Sequence, residues 1–491
     1  MAAAAVSCLI AGAALGYFVP GYILVEESYI PPVHIIGDVS AIVKVDKETL
    51  DRYEVKSEYT GDTRALSLEE IVFQAGPVSP AFDLYIIAAG GRTAMLSGDQ
   101  LKDSYIAFGS SNGWEAINPN HPVSSNIKDI EEIVIVSGGG DGDFGLNIIT
   151  MEENISQITP GSAYLESSKS LEFGGSSYKE GRDERFGTSV FREKHIIELE
   201  ELTSIQPEAV VLMGSRGEYV FLKNSGSMSF EIDGNRFLYN GETAEDSIDD
   251  LKGIVLDPAA ASIMDVYYDA ASLIENGTDV LVIITDGMGY HQYEYAVENG
   301  YAPFMASAGR ADMALSVYRP VTNAGLAAIF TGRPPSENGI YSRKQRIPET
   351  PTIWGKMLDE GLEGLLIEGD IQIIKTEVEA ILNSDRDSDS TIDDEIFQAA
   401  LQGLGSGADL MAVHFHSIDD SGHESGDLSE DTFERIREVD SYIRQLAEGW
   451  QGKIIIISDH GMHSTAGGGD HGQFRYEDVV VPYIMIDGGG L

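Results

Sequence analysis

The segment that says most about the fold of this chain is Lys453-Ile454-Ile455-Ile456-Ile457-Ser458-Asp459-His460-Gly461. Its run of isoleucines predicts a β-strand that is buried on both faces, as in a parallel sheet covered by helices. Asp459 and His460 follow the strand at its carboxyl end, where open α/β sheets bind their ligands. The stretch therefore predicts a parallel sheet with a polar site at one edge.

The rest of the C-terminal half repeats this alternation of strands and helices. Val280-Leu281-Val282-Ile283-Ile284-Thr285 reads as a second buried strand, and Asp286 follows it at the same kind of edge. An α/β sandwich with a mostly parallel sheet is the fold class that such alternation predicts. We expect strands near 280–285, 312–318, 363–368, 409–415, 453–458 and 481–486, and helices near 324–331, 352–360, 394–402 and 431–447.

Histidines and aspartates are concentrated near the end of the chain. Six of the ten histidines fall between His414 and His471, and two clusters besides Asp459-His460 read Asp419-Asp420-Ser421-Gly422-His423 and Gly469-Asp470-His471-Gly472. A single histidine is most often an ordinary core or surface residue. Several clusters of imidazole and carboxylate groups instead favour zinc or a similar divalent ion, in a two-metal centre for hydrolysis.

Thr322 stands between a polar turn and an alanine-rich segment that predicts a helix. One interpretation is a helix N-cap, a position that threonine often occupies. The other is a nucleophile that attacks phosphorus, with the phosphoryl group held by backbone N–H groups at the start of the helix. Downstream, Arg343, Lys344 and Arg346 form a basic patch that either contacts a second anionic group of the substrate or lies on a solvated turn.

The order of these motifs, from Asp286 through Thr322 to His471, resembles that of the alkaline phosphatase superfamily, and its type I phosphodiesterase and nucleotide pyrophosphatase branch in particular. The resemblance begins near Asp265 and runs to the C-terminus. It implies an alkaline-phosphatase-like three-layer sandwich and two divalent ions, Zn²⁺ or alternatively Mn²⁺. By position, it implies that one ion is held by Asp286, Thr322, Asp459 and His460, and the other by Asp419, His423 and His471.

The resemblance also implies a phospho-threonine mechanism, with Thr322 as nucleophile. Asn323 is the second predicted catalytic residue, because a Thr-Asn pair is similar to that of phosphonoacetate hydrolases in the same superfamily. The sequence departs from the phosphodiesterase pattern at Gly325, where an asparagine is frequent, and at Asn338, where a histidine usually precedes Gly339. A phosphodiesterase is thus expected first, with a phosphomonoesterase, a phosphonate hydrolase or a non-catalytic surface binding protein as alternatives.

Composition limits the partners of the chain. The formal net charge is -48, with 80 acidic against 32 basic residues. Such a surface repels polyanions, so a nucleic-acid polymer is excluded as partner and a small phosphate ester is expected. The acidity suits either high salt or an extracellular surface. The only cysteine is Cys8, so no intrachain disulfide can form. A sulfatase is not expected either, because its modified Cys or Ser lies in a C/S-x-P-x-R motif and Cys8 does not.

The N-terminus predicts a contact with the membrane. Residues 2–24 carry no charge, and a helix of that length at about 1.5 Å per residue can cross a bilayer core of about 30 Å. We therefore predict a signal anchor over 1–25 and an extracytoplasmic location. The alternative is a cleaved signal peptide and a secreted protein, although the usual positive n-region is missing before Lys44.

Between this segment and the catalytic domain, predicted at 262–491, the sequence suggests an internal duplication. Leu68-Glu69-Glu70-Ile71 recurs as Leu199-Glu200-Glu201-Leu202, and Ile127–Val134 is similar to Ile248–Val255. We predict two small α+β modules, at 28–138 and 145–258, joined by a glycine-rich linker and serving as spacer or binding modules. Chance matching in an acidic chain is the alternative. The oligomeric state is left open by the sequence.

Overall fold

The structure, a computed structural model, describes residues 30–61, 63–109, 112–138, 143–180, 185–223 and 228–489. These residues form two compact units, one up to Gly138 and one from Gly139 onward. The predicted signal anchor or signal peptide at 1–25 lies outside the described residues. Among the helices that are described, none has both the length and the apolar character needed to cross a bilayer.

The first unit is a small α+β module with two sheets. A five-stranded sheet has the order β2-β1-β8-β4-β5, and β3, β6 and β7 form a second, three-stranded sheet. Helix α2 begins directly after β3, where the Ser67 side chain caps it by accepting a hydrogen bond from the N–H of Glu70. The elements are β1 (Val33–Gly37), β2 (Val43–Val45), α1 (Lys47–Tyr53), β3 (Ala65–Ser67), α2 (Leu68–Ala75), β4 (Phe82–Ala88), β5 (Thr93–Ser97), β6 (Tyr105–Gly109), β7 (Gly113–Ile117) and β8 (Ile130–Ser137).

The second unit begins with a module built from a nine-stranded sheet. The two longest strands, Ser168–Glu180 and Arg185–Glu198, form an antiparallel hairpin at one end of this sheet. The other strands of the sheet are shorter. The elements are β9 (Leu146–Ile149), β10 (Asn154–Ile158), α3 (Pro160–Glu166), β11 (Ser168–Glu180), β12 (Arg185–Glu198), α4 (Leu199–Leu202), β13 (Ala209–Gly214), β14 (Tyr219–Lys223), β15 (Ser229–Asp233), β16 (Arg236–Tyr239) and β17 (Ile248–Leu256).

The two modules share one strand order. The path β2-β1-β8-β4-β5 of the first module corresponds to β10-β9-β17-β13-β14 of the second, and in each path only the second and third strands pair in parallel. The antiparallel set β3-β6-β7 likewise corresponds to β12-β15-β16, and the Leu-Glu-Glu helix follows the first strand of each set. The two Leu-Glu-Glu segments therefore occupy equivalent places in the two modules, and the duplication stays a prediction.

The C-terminal part of the second unit is organised around an eight-stranded sheet of order β18-β20-β27-β24-β19-β23-β21-β22. The pairs in this path are parallel, except for the two that β27 makes with β20 and β24. The strands are β18 (Ala261–Ser262), β19 (Val280–Thr285), β20 (Asp312–Leu315), β21 (Gly364–Glu368), β22 (Ile381–Leu382), β23 (Leu410–Phe415), β24 (Lys453–Ile457) and β27 (Val480–Asp487), with a separate hairpin of β25 (His463–Thr465) and β26 (Gly468–Asp470).

Helices cover both faces of this sheet, which gives the predicted three-layer sandwich. Along β24, Ile454 and Ile456 belong to one hydrophobic cluster, and Ile455 and Ile457 belong to the other. The alternation explains why four isoleucines occur in a row, because each face packs against helices. The helices are α5 (Asp265–Glu275), α6 (Tyr290–Glu298), α7 (Pro303–Ser307), α8 (Thr322–Thr331), α9 (Pro335–Asn338), α10 (Ile353–Glu360), α11 (Asp393–Gly403), α12 (Ser417–Ser425), α13 (Glu430–Gly449) and α14 (Tyr476–Val479).

The second module and this sandwich share one hydrophobic core. Val211 and Val255 of the module lie in the same buried cluster as Ile283 and Ile456 of the sandwich. Polar contacts reinforce the association, because the Asp143 carboxylate accepts hydrogen bonds from the Tyr318 hydroxyl at 2.9 Å and from the backbone N–H of Phe474 at 3.1 Å. The predicted boundary between 258 and 262 therefore falls inside a single compact unit.

Candidate metal centre

Adjacent strands bring the predicted ligands to one edge of the sheet. Strands β19 and β24 pair in parallel with Ile284 opposite Ile457. Asp286 and Asp459 each follow two residues later, so they emerge side by side at the carboxyl edge. Both carboxylates are buried, and the His460 side chain beside them is fully buried.

The first group of candidate ligands is Asp286, Asp459 and His460, whose ligand atoms all lie within 4.8 Å of one another. The His460 Nε2 atom is 3.3 Å from Asp286 Oδ1 and 3.5 Å from Asp459 Oδ2. Thr322 joins this group, since its Oγ1 lies 3.2 Å from the same His460 Nε2 atom. The structure thus brings together the four residues that the resemblance assigns to one ion.

The second group contains Asp419, His423 and His471, again within 4.8 Å. Asp419 and His423 are one turn apart on α12, so both point to the same side of the helix. Their Oδ2 and Nε2 atoms are 3.4 Å apart, and His471 Nε2 is 3.6 Å from Asp419 Oδ1. The His471 ring stacks on the ring of His460 with 3.9 Å between centroids, so the two groups are neighbours.

Backbone carbonyls orient all three of these imidazoles. The Nδ1 atom of His460 is 3.0 Å from the carbonyl oxygen of Gly461, that of His423 is 3.1 Å from Gly469, and that of His471 is 2.9 Å from Pro320. A carbonyl accepts only from a protonated nitrogen, so each contact places the proton on Nδ1. In the neutral imidazole the lone pair is then on Nε2, and each Nε2 atom lies beside a carboxylate, as in metal-binding histidines.

The electrostatics of the two groups also fit a cation. Burial favours the neutral carboxyl and, with the nearby charge of Asp286, raises the pKa of Asp459 to about 6. Burial lowers the pKa of His460, but Asp459 and Asp286 outweigh burial and raise this pKa to about 10. Among the described residues, Asp286 Oδ1, Asp459 Oδ2 and Asp419 Oδ1 are buried and have no hydrogen-bond partner. Buried carboxylates of this kind are normally paired or bound to metal, so these residues fit divalent ions.

Thr322 is the first residue of α8, and Val321 occupies the N-cap position without a side-chain cap. The Thr322 side chain points to His460 instead of capping its own helix. The N–H of Ala324 already bonds to the carbonyl of Val321 at 2.9 Å, so the N–H groups of Thr322 and Asn323 are the ones that present the positive end of the helix dipole. The hydroxyl therefore lies between the candidate metal ligands and a helix start that can bind an anion.

Asn323 and the basic patch are linked to each other. The Asn323 side chain is buried and donates a hydrogen bond of 2.7 Å to the carbonyl oxygen of Gln345, so it holds the segment that carries the patch. From that segment, the Arg343 guanidinium reaches His471, with 2.5 Å between Nη2 and Nε2. The positively charged guanidinium of Arg343 thus contacts the His471 nitrogen that would bind a metal ion.

The structure explains the two departures from the family pattern. A Cβ atom at Gly325 would lie 2.5 Å from the carbonyl oxygen of Asp459, so a side chain at this position would collide with the first ligand group. The side chain of Asn338 is fully buried and stabilises the turn after α9, where it donates to the carbonyl of Arg333 at 2.8 Å and accepts from the N–H of Ile340 at 2.9 Å. Asn338 therefore supports the fold near the site.

Three further residues at the centre were not assigned by sequence reasoning. His414, at the end of β23, and His416 place their ring nitrogens within 4.8 Å of Asp286. Glu368, the last residue of β21, lies on the other side of both rings. Their position at the ends of parallel strands is the signal that could have found them.

Comparison with known proteins finds a family match for part of the chain. Residues 280–482 match the family model described as type I phosphodiesterase / nucleotide pyrophosphatase. For this segment, the match confirms the predicted relationship to the type I phosphodiesterase branch of the alkaline phosphatase superfamily. No curated protein matches the chain.

Two solved structures are similar to part of the chain. One is a phosphonoacetate hydrolase from Sinorhizobium meliloti 1021, with 17% identity, a TM-score of 0.31 and coverage of 38% of this chain and 56% of that chain. The other is murine ectonucleotide pyrophosphatase / phosphodiesterase 5, with 18% identity, a TM-score of 0.31 and coverage of 38% and 58%. The chain thus spans a little over half the length of each.

Proposed function

We propose that the chain, whose residues 280–482 form a type I phosphodiesterase / nucleotide pyrophosphatase domain, hydrolyses small phosphodiesters at a two-metal site by way of a phospho-threonine. Asp286, Asp459, His460 and Thr322 would hold one ion, and Asp419, His423 and His471 the other. When bound, two divalent cations acidify a nearby hydroxyl and offset negative charge on phosphoryl oxygens. Zinc suits the mixture of imidazole and carboxylate ligands.

The observation that carries this proposal is the position of the Thr322 hydroxyl. It lies 3.2 Å from His460 Nε2, inside the first ligand group and at the start of α8. In the first step, the Thr322 hydroxyl loses its proton to solvent and its Oγ1 atom forms a bond to phosphorus, while the ester oxygen leaves with the bonding electron pair and takes up a proton from solvent. In the second, the oxygen of water loses a proton and forms a bond to the same phosphorus, while the bond to Thr322 breaks and Thr322 Oγ1 keeps the electron pair and is reprotonated. The N–H groups at the start of α8 bind the phosphoryl oxygens in both steps.

A panel of chromogenic phosphodiesters, phosphomonoesters and phosphonate monoesters, assayed with zinc or manganese, tests the function. We expect diesters to give the highest kcat/KM. A preference for monoesters or phosphonates would assign the chain to another activity of the same superfamily. If no member of the panel is hydrolysed by the metal-loaded protein, the enzymatic proposal fails.

Removing one ligand of the second group should remove one ion. We expect His471→Ala to lower the metal content by one divalent ion per chain and to reduce kcat by at least about tenfold, because loss of even an outer-shell partner of a metal costs 10–100-fold. Elemental analysis of the purified protein measures the content. His121→Ala, in the first unit, is the matched control and should leave both values unchanged. If His471→Ala lost metal from the first group to the same extent, the division of the ligands into two groups would be wrong.

Arg343 is expected to bind a second anionic group of the substrate. Bound metal would take the His471 lone pair that the guanidinium now contacts, which frees the arginine for an anion beside the centre. We expect Arg343→Ala to raise KM about tenfold for diesters that carry an additional phosphate, equivalent to about 1.4 kcal/mol.

The same variant should change KM little for diesters without that phosphate. Lys344→Ala removes an equal charge from the neighbouring position and serves as control. Equal effects of the two variants would show that only the general charge of the turn matters.

A further inference from the structure

A third group of side chains that could hold a metal ion shares a residue with the first group and consists of Asp286, His414 and His416. The carboxylate of Asp286 faces His460 with Oδ1, at 3.3 Å from Nε2. Its other oxygen, Oδ2, faces away from His460 and lies 3.4 Å from His414 Nε2 and 3.4 Å from His416 Nδ1. One oxygen of this buried carboxylate therefore contacts His460, and the other contacts His414 and His416.

We propose that Asp286 Oδ2, His414 Nε2 and His416 Nδ1 bind a third divalent cation, bridged by Asp286 to the first ligand group. The inference goes beyond the two-metal site and does not depend on the substrate. Two imidazole nitrogens and one carboxylate oxygen are the ligand set of many zinc sites, with water completing the coordination.

The distances favour a shared ion over direct hydrogen bonds. Charge-assisted hydrogen bonds between imidazolium and carboxylate are about 2.7–2.9 Å long. Both contacts of Asp286 Oδ2 are 3.4 Å, which is too long for such bonds. Two ligand atoms that each lie about 2.1 Å from a tetrahedral ion are about 3.4 Å apart. Both distances from Asp286 Oδ2 thus fit an ion between the three atoms, which all lie within 4.8 Å of one another.

Glu368 orients both imidazoles from behind. Its Oε2 atom lies 3.0 Å from His414 Nδ1 and 3.5 Å from His416 Nε2, which are the nitrogens that face away from Asp286. The hydrogen bond to His414 places the proton on Nδ1 and leaves the Nε2 lone pair directed at Asp286. A carboxylate behind a histidine is the usual outer-shell partner of a metal-binding imidazole.

Burial makes the group costly without a cation. Glu368 and His414 have no exposed surface, and Asp286 is 4% exposed. Among the described residues, His414 Nε2, His416 Nε2, Asp286 Oδ1 and Glu368 Oε1 are buried atoms with no hydrogen-bond partner. Unpaired polar atoms in the interior are destabilising. Of these atoms, His414 Nε2 is a proposed ligand of the third ion, and Asp286 Oδ1 belongs to the first ligand group. A divalent ion would use the His414 lone pair and balance the negative charge of the two carboxylates.

Elemental analysis of the intact protein, after loading with zinc and removal of free metal, tests the proposal. We expect three ions per chain in the natural sequence and two in the double variant His414→Gln/His416→Gln. Glu368→Gln keeps the shape of the outer-shell residue and should weaken binding of one ion by about 10–100-fold. His291→Gln removes a histidine paired with another carboxylate, Asp427, and should retain three ions.

Anomalous diffraction at the zinc edge, from crystals of the natural sequence, locates the ions without any variant. A peak between Asp286, His414 and His416 supports the proposal. Two ions with His414 and His416 in direct contact with Asp286 would overturn it and leave the two-metal proposal intact. A chain that binds no divalent ion would refute both. If the double variant does not fold, the diffraction result decides.

Discussion

Replacing Thr322 by alanine is expected to lower kcat for phosphodiesters by about 10³-fold or more while the metal content stays the same. The hydroxyl is the proposed nucleophile, and nucleophile, metal and helix start act as one unit, so removing one part costs most of the rate. Asp286, Asp459 and His460 remain to hold the first ion. Steady-state assays and elemental analysis of the same preparation measure both quantities.

Two further measurements separate the nucleophile from a structural threonine. Thr322→Ser keeps a hydroxyl on the first residue of α8 and should retain much more activity than the alanine variant. A chiral phosphodiester should react with net retention at phosphorus, because two in-line displacements each invert the configuration. Inversion in the natural sequence, or near-normal rates in the alanine variant, would mean that water attacks the substrate directly.

The sheet of the C-terminal sandwich could be predicted from sequence because its strands are buried on both faces. The isoleucine run of β24 and the apolar run of β19 begin at the predicted residues and end within one residue of the predicted ends. The predicted strand at 312–318 is shorter in the structure, since β20 ends at Leu315 and leads into the turn before Thr322. Helix α12 was not predicted, because polar residues, including the candidate ligands Asp419 and His423, fill much of it.

The residues of the first two ligand groups could be named from the sequence because short motifs, such as Asp459-His460, follow the order of motifs in the superfamily that the chain resembles. The third group could not, because its members come from three strand ends that are distant in sequence. Glu368 and His414 meet only through the pairing of β21 with β23. Likewise, the contact between Arg343 and His471 depends on a turn that Asn323 holds in place. Sequence reasoning left the role of that basic patch undecided.

Replacing Asp286 by asparagine is expected to have a larger effect on metal content than the loss of any single ligand of the second group. Its carboxylate is the residue common to the first ligand group and to the group of His414 and His416. Asparagine keeps the shape but loses the charge and one of the two carboxylate oxygens. We therefore expect the variant to lose more than one ion per chain, whereas His471→Ala loses one.

In Asp286→Asn, the rate of phosphodiester hydrolysis should fall together with the metal content. A metal ion contributes several kcal/mol to stabilising a phosphoryl transition state. A loss of about 4 kcal/mol corresponds to about 10³-fold, since 1.36 kcal/mol is a factor of ten. Asp312→Asn, which changes an exposed acid at the start of β20, is the matched control for charge and should keep both metal and rate. Loss of a single ion in Asp286→Asn would show that the carboxylate serves only one group. In that case Oδ2 would be a partner of protonated His414 and His416, and the chain would hold two ions.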